Sequence, residues 1–321
     1  MHKYAVVLFN LGGPDSLEAV EPFIFNLFSD HDIFKIPFGQ KLFAKIMSGL
    51  RAPRVREKYK QIGGKSPINK WTEIQRSMLH EELQNVVSNV EVYTAMRYWN
   101  PTIEEVIEKI AEIPFDKIAL VPLYPHYSIT TTGSAFNEWR RIYKGDAGRL
   151  IYVYDYFANP KYISALNERI DESILLFPKD VRGDIQIVFS AHGTPESLAK
   201  KGDPYPKQIK KTVACVMETR NFSHEFHLCF QSKVGPAKWL KPSTEETIKR
   251  LAEKGKKQLL VVPISFVSDH IETLFELDIE YRIIANKGNI ENYLVMNGLN
   301  DSKIFVAALK ELVIQALQIE T

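Results

Sequence analysis

Six apolar runs of strand length, set out as two groups of three, constrain the fold of this 321-residue chain more than any other feature. The first group covers residues 4–10, 90–98 and 118–123, punctuated by Gly12-Gly13-Pro14, Asn100-Pro101 and Val121-Pro122. The second covers 185–189, 225–230 and 259–264, with Gly193-Thr194-Pro195, Gly235-Pro236 and Val262-Pro263 in the corresponding places. Such runs suit strands buried on both faces of a parallel sheet. Helical patterns lie between them, as at 102–113 and 243–254, and this alternation predicts α/β layering with helices on both faces. The repeated order reads as a diverged duplication, residues 1–150 and 151–321, with a ligand cleft between the halves.

The halves are unequal at their first crossover. From Pro14 to Pro101 is 87 positions, and from Pro195 to Pro236 is 41. Much of the excess is residues 34–60. There eight large apolar residues (Phe34, Ile36, Phe38, Leu42, Phe43, Ile46, Met47, Leu50) interleave with eight Lys or Arg and a single Glu57. An apolar, basic surface suits an amphiphilic anion or a membrane face; an ordinary amphipathic helix pair packed on the sheet is the competing reading.

The most chemically suggestive stretch is 265–281, which follows the apolar run 259–264. On a regular α-helix Asp269, Glu272, Glu276 and Glu280 would share one face. Like charges at that spacing cost ~0.2–0.5 kcal/mol per pair, so the stripe suggests a surface that holds cations or protons, with a solvated acidic face as the bland alternative. A second signal is His192, in the turn expected after the run 185–189. Ligands of open α/β sheets bind beyond the carboxyl ends of strands, which favours a chemical role for His192 over a structural one.

Composition excludes several classes. A net charge of +2 gives no case for nucleic acid. Cys215 and Cys229 make neither a zinc spacing nor a four-cysteine cluster set, and point to a reducing compartment. The chain opens on Met1-His2-Lys3-Tyr4 and runs straight into a strand, so no signal peptide is expected; nor is any apolar run near the ~20 residues of a membrane span. Gly63-Gly64-Lys65-Ser66 lacks the first glycine and the strand of a P-loop. Tyr98, Trp99, Tyr124, Tyr127, Trp239 and Phe266, near strand ends, would suit a flat conjugated ligand, although core packing is the default for aromatics.

Several segments resemble the ferrochelatase family, whose members insert Fe²⁺ into a porphyrin. They are 8–14 (LFNLGGP), 59–68 (YKQIGGKSPI), 96–98 (MRY), 122–128 (PLYPHYS) with 131–134 (TTGS), 189–192 (FSAH), 202–206 (GDPYP), 231–236 (QSKVGP), 239–240 (WL) and 268–281. The resemblance covers nearly the whole chain. It implies two similar Rossmann-like domains of chelatase type with the porphyrin in the cleft. It places the catalytic His on His192 and the metal-site Glu on Glu272, with both as metal ligands. An acidic path falls on Asp269 and Glu276, and macrocycle contacts on Asn10, Leu11, Arg97, Tyr98 and Trp239. Coproporphyrin-using relatives carry Tyr where Leu11 stands, so protoporphyrin IX is the implied substrate and protohaem the product, the terminal step of haem biosynthesis.

No permanently bound cofactor is implied, with Fe²⁺ as substrate, and no iron–sulfur cluster, because this chain lacks the cysteine-bearing tail of cluster-containing relatives. The expected setting is the cytoplasm, with weak peripheral membrane association through 34–60 and residues 34–60 as the pocket lip. The residues leave open whether His192 is base or iron ligand. The rival readings are a chelatase for coproporphyrin or another tetrapyrrole, and a non-catalytic porphyrin or haem carrier.

Overall fold

The computed structural model describes residues 2–232 and 237–319. Its contacts divide the chain into two units, Met1–Tyr156 with Asn300–Thr321, and Phe157–Leu299. The C-terminal segment, assigned from sequence to the second half, therefore belongs to the first, and the break falls after Tyr156 rather than at 150. The helix Lys303–Leu317 packs on the helix Ile68–Gln84 and on the first sheet. Leu317 O accepts a hydrogen bond from Lys117 Nζ, Asn300 O one from Gln75 Nε2, and Phe305 meets the ring of Tyr156.

Each unit is built on a four-stranded, wholly parallel sheet. The first contains β1 (Tyr4–Asn10), β2 (Val90–Met96), β3 (Lys117–Pro122) and β4 (Leu150–Tyr152) in the order β2-β1-β3-β4. The second contains β5 (Gln186–His192), β6 (Phe226–Gln231), β7 (Gln258–Pro263) and β8 (Asn292–Val295) in the order β6-β5-β7-β8. The topology is the same twice, which bears out the duplication. In each sheet the first strand in sequence is internal, and the chain reverses direction across the sheet beside it. A switch of this kind opens a crevice beyond the strands' carboxyl ends.

The six predicted runs are six of the eight strands. β1, β3, β5 and β7, the internal strands, are buried over almost every residue, as strands covered on both faces must be. The predicted helices 102–113 and 243–254 form as Ile103–Ala111 and Thr244–Glu253. Each starts in a capping box, Thr102 with Glu105 and Ser243 with Glu246, satisfying two otherwise orphaned backbone donors at each helix start. The long crossover after β1 carries the helices Val20–Phe28, Gln40–Lys60 and Ile68–Gln84. The segment 233–236, which holds the predicted Gly235-Pro236 strand end, lies outside the described residues.

Candidate active site

In the second unit, β5 delivers His192. It is the last residue of the strand, in ladder register with Gln231 of β6, rather than a residue of the following turn. Its main-chain N–H donates to Ser265 Oγ at 2.9 Å, just past β7, and its carbonyl accepts from Tyr205 OH at 2.9 Å. Gly193 then lets two other segments close in: a Cβ there would lie 2.6 Å from Gln231 O and 3.3 Å from Trp239. Trp239 pairs with Pro195 across an antiparallel bridge, placing its partly buried ring beside the loop that follows His192.

The other half of the site comes from the chain after β7. Residues Glu272–Glu280 wind as a π-helix, wider than the predicted α-helix and bonded i→i+5. Glu272 heads it and meets His192: Nδ1 lies 2.9 Å from Glu272 Oε2. The same oxygen accepts from Gln231 Nε2 at 3.3 Å and lies 3.3 Å from Ser232 Oγ. Glu276, one turn on, accepts from Ser232 Oγ at 2.6 Å, Ser232 N at 2.8 Å and Tyr281 OH at 2.9 Å. Ser232 reaches both carboxylates from a left-handed conformation, φ 64°.

Asp269 does not join this run. It precedes the helix and is buried, with Oδ1 accepting from Thr273 Oγ1 at 3.0 Å and Gly298 N at 3.1 Å. The four-carboxylate α-helical face of the sequence reading is thereby corrected. The pair beside His192 is Glu272 and Glu276, and Asp269 ties the helix start to the loop after β8. His270 is also buried; its Nδ1 faces Ser268 O at 3.1 Å and its Nε2 lies 4.0 Å from Glu272 Oε2.

Electrostatics separate these groups. Burial disfavours the His192 cation, but the charge and hydrogen bond of Glu272, with Glu276 beyond, more than offset it and raise its pKa above the ordinary value. Burial likewise opposes ionised Glu272, yet His192, with His270 and Ser232, holds it well below the usual carboxylate range. Glu276 goes the other way: burial and the neighbouring Glu272 charge raise it, against the pull of Ser232 and Tyr281. Burial lowers His270, against the pull of Glu272 and Asp269. With Nδ1 bonded to an ionised carboxylate, neutral His192 carries its proton there and presents a basic Nε2. The arrangement can accept a proton, stabilise the cation formed, and offer carboxylate oxygens to a hard cation.

The other residues singled out from the sequence lie in the first unit, beyond β1 and β2. Asn10 ends β1; its Nδ2 donates to Thr72 Oγ1 at 2.8 Å and its Oδ1 accepts from Leu11 N. Leu11 and Arg97 are partly buried. Tyr98 is buried, with its hydroxyl donating to Asp30 Oδ2 at 2.6 Å. Ser134 donates to the same oxygen, and Arg97 approaches it to 3.1 Å while lying 5.0 Å over the Tyr98 ring. Asn10 and Tyr98 thus spend their polar groups inside the unit and back up their neighbours. Gln231, Ser232 and Asp30 were not foreseen as site residues; the only signal for the first two was their place in the QSKVGP segment, and Asp30 carried none.

The sequence profile of the family described as Ferrochelatase matches residues 3–317. Proteins named ferrochelatase from Geotalea uraniireducens and Aquifex aeolicus are 46% and 45% identical over 97% of this chain, covering 97% and 98% of their own lengths. The ferrochelatase of Gloeothece citriformis is 43% identical over 99% of the chain and 83% of its own. Among solved structures, SirB from Bacillus subtilis with Fe³⁺ superposes with a TM-score of 0.56 at 14% identity, covering 98% of this chain and 96% of that one. CbiX, described as the terminal enzyme for biosynthesis of sirohaem in denitrifying bacteria, gives 0.52 at 11%, over 98% and 99%. At such identities these two speak for the fold alone: paired parallel sheets flanked by helices.

Proposed function

The chain belongs to the ferrochelatase family, and from that premise we propose that His192 and Glu272 form its metal-insertion centre, with protoporphyrin IX as substrate and protohaem as product. Insertion of Fe²⁺ into a porphyrin, on the way to haem, is the activity of the family and of this chain.

The observation that carries the assignment is the 2.9 Å contact between His192 Nδ1 and Glu272 Oε2 at the carboxyl end of β5. A free porphyrin holds two pyrrole N–H protons, and both leave as the metal enters. His192 Nε2 accepts them one at a time, giving up the first before it takes the second, and Glu272 stabilises the imidazolium each time. Glu276, whose pKa is raised by burial and by Glu272, takes up a proton more readily than an ordinary carboxylate and carries it outward. Glu272 also supplies an oxygen ligand to Fe²⁺ as water leaves it. The acidic path in this reading is Glu272 to Glu276, with Asp269 as anchor. In the first unit Leu11 and Arg97 meet the macrocycle, Asn10 and Tyr98 hold them, and in the second unit Trp239 flanks His192.

Leu11, in place of the Tyr of coproporphyrin-using relatives, supports protoporphyrin IX. Purified protein assayed with Fe²⁺ under anoxia, or with Zn²⁺, should turn over protoporphyrin IX in preference to coproporphyrin. A preference for coproporphyrin would overturn the substrate assignment, and binding without turnover would make the chain a carrier.

We place the protein in the cytoplasm, in reversible contact with a membrane surface. Phe38, Leu42, Ile46 and Leu50 recur every four residues and are 92%, 64%, 52% and 71% exposed, beside the exposed Lys41 and Lys45. An apolar stripe edged with cations is the pattern of an interfacial helix. No helix among the described residues is long and apolar enough to cross a membrane.

A further inference from the structure

Behind Glu272 runs a buried chain of neutral groups that the proton and metal chemistry above does not use. Ser190 on β5 and Thr244, at the start of the helix Thr244–Glu253, are wholly buried, and Gln231 at the end of β6 is 2% exposed. Ser190 Oγ donates to Gln231 Oε1 at 2.8 Å and lies 2.8 Å from Thr244 Oγ1. A serine hydroxyl has one proton to give. Spent on Gln231, it leaves Thr244 to donate to Ser190. A glutamine amide can present either end, but an oxygen already accepting from Ser190 commits the other end. That end is Nε2, which donates to Glu272 Oε2 at 3.3 Å. Turned the other way, the amide would set its oxygen against an ionised carboxylate.

Burying two hydroxyls and an amide is costly unless they are paired. Ser190 also interrupts an otherwise apolar buried run, Ile187-Val188-Phe189 and Ala191. We propose that Ser190 and Gln231 are positioning residues for metal insertion: Ser190 fixes the Gln231 amide, and Gln231 holds the Glu272 carboxylate turned toward His192. The inference rests on His192 and Glu272 being the insertion centre. Neither Ser190 nor Gln231 touches the reacting atoms in this account; both act through Glu272.

The test is a panel of Ser190→Ala, Gln231→Met, Gln231→Glu, the Ser190→Ala/Gln231→Met double variant, and Glu272→Gln. Zn²⁺ insertion into detergent-solubilised protoporphyrin IX gives kcat and both KM values, and thermal melting gives stability. Gln231→Met should lower kcat about tenfold, the effect of losing one hydrogen bond to a charged group, with the porphyrin KM unchanged. Ser190→Ala should lower it by about three- to fivefold, and the double variant should match Gln231→Met alone, because residues acting through one another are not additive. Gln231→Glu keeps the shape and stands in should Gln231→Met fail to fold; it too should lose kcat. Losses that multiply in the double variant, that track melting temperature, or that stay within twofold while Glu272→Gln is impaired overturn the proposal. Wild-type activity in Glu272→Gln instead removes the centre on which it stands.

Discussion

Replacing Glu272 with Gln isolates the charge that faces His192 while leaving the side chain's shape. At 2.9 Å and an effective dielectric near 20, the gross attraction between the two charges is on the order of 6 kcal/mol. Desolvation opposes it, and solvent reaches 37% of the His192 side chain, so the net difference between a charge-assisted and a neutral bond is about 2 kcal/mol. If His192 becomes cationic in the transition state, that difference lowers kcat by about 30-fold, before any loss of Glu272 as a metal ligand. The assay is the fluorescence decrease as Zn²⁺ enters protoporphyrin IX under saturating conditions. The same variant makes a pH prediction for stability. The raised His192 pKa means its share of the pair's stabilisation is whole below the ordinary histidine value of ~6.5 and is lost as pH rises through the raised value. The lowered Glu272 pKa means its share is present above the ordinary ~4.3 and is lost only as pH falls through the lowered value. The melting-temperature gap between wild type and variant should be widest near pH 5–6 and should narrow on alkaline titration. A kcat within threefold of wild type, or a gap that does not change with pH, refutes the pairing argument.

His192→Ala should abolish insertion while the protein stays folded and still binds porphyrin, read by fluorescence quenching. Glu276→Gln should be the milder of the two glutamate changes, with kcat down by less than tenfold, since Ser232 stands between Glu276 and the His192–Glu272 contact; equal losses in Glu272→Gln and Glu276→Gln would argue against a graded path. Changing Lys41, Lys45 and Arg51 together to Ser should weaken binding to anionic vesicles, each cation contributing on the order of 1 kcal/mol, and should reduce its salt dependence. Activity on detergent-solubilised porphyrin should be retained. Thr102→Ala should cost about 1 kcal/mol of stability in denaturant titration, through loss of the cap on the helix Ile103–Ala111.

The fold was legible where burial is complete. Val6, Val7 and Leu8, or Leu260, Val261 and Val262, admit few environments other than an internal parallel strand. β4 and β8 escaped notice because edge strands of three and four residues, Leu150–Tyr152 and Asn292–Val295, are too short to show a period. The sequence pointed to His192 and Glu272 through their places beyond strand ends. It misplaced Asp269 because spacing presumes α-helical winding, and nothing in the residue order signals that Glu272–Glu280 turns more widely. Gln231, Ser232 and Ser190 were unreadable for another reason. Small neutral side chains advertise no chemistry, and theirs exists only in what β5, β6 and the π-helix bring beside them.

The return of the chain to its first unit at Asn300 bears on the order in which the protein can be made. A ribosome emitting this chain releases every residue of the second unit, Phe157–Leu299, as one unbroken length while the first still lacks the helix Lys303–Leu317. Domains commonly mature in the order of synthesis. Here the later-encoded sheet, with His192 and Glu272, is the one whose parts are all present first. The earlier-encoded sheet must wait, its face on the Lys117 side uncovered, until the helix Lys303–Leu317 has been translated. A stop codon just before Lys303 would therefore damage the half of the molecule that was translated first.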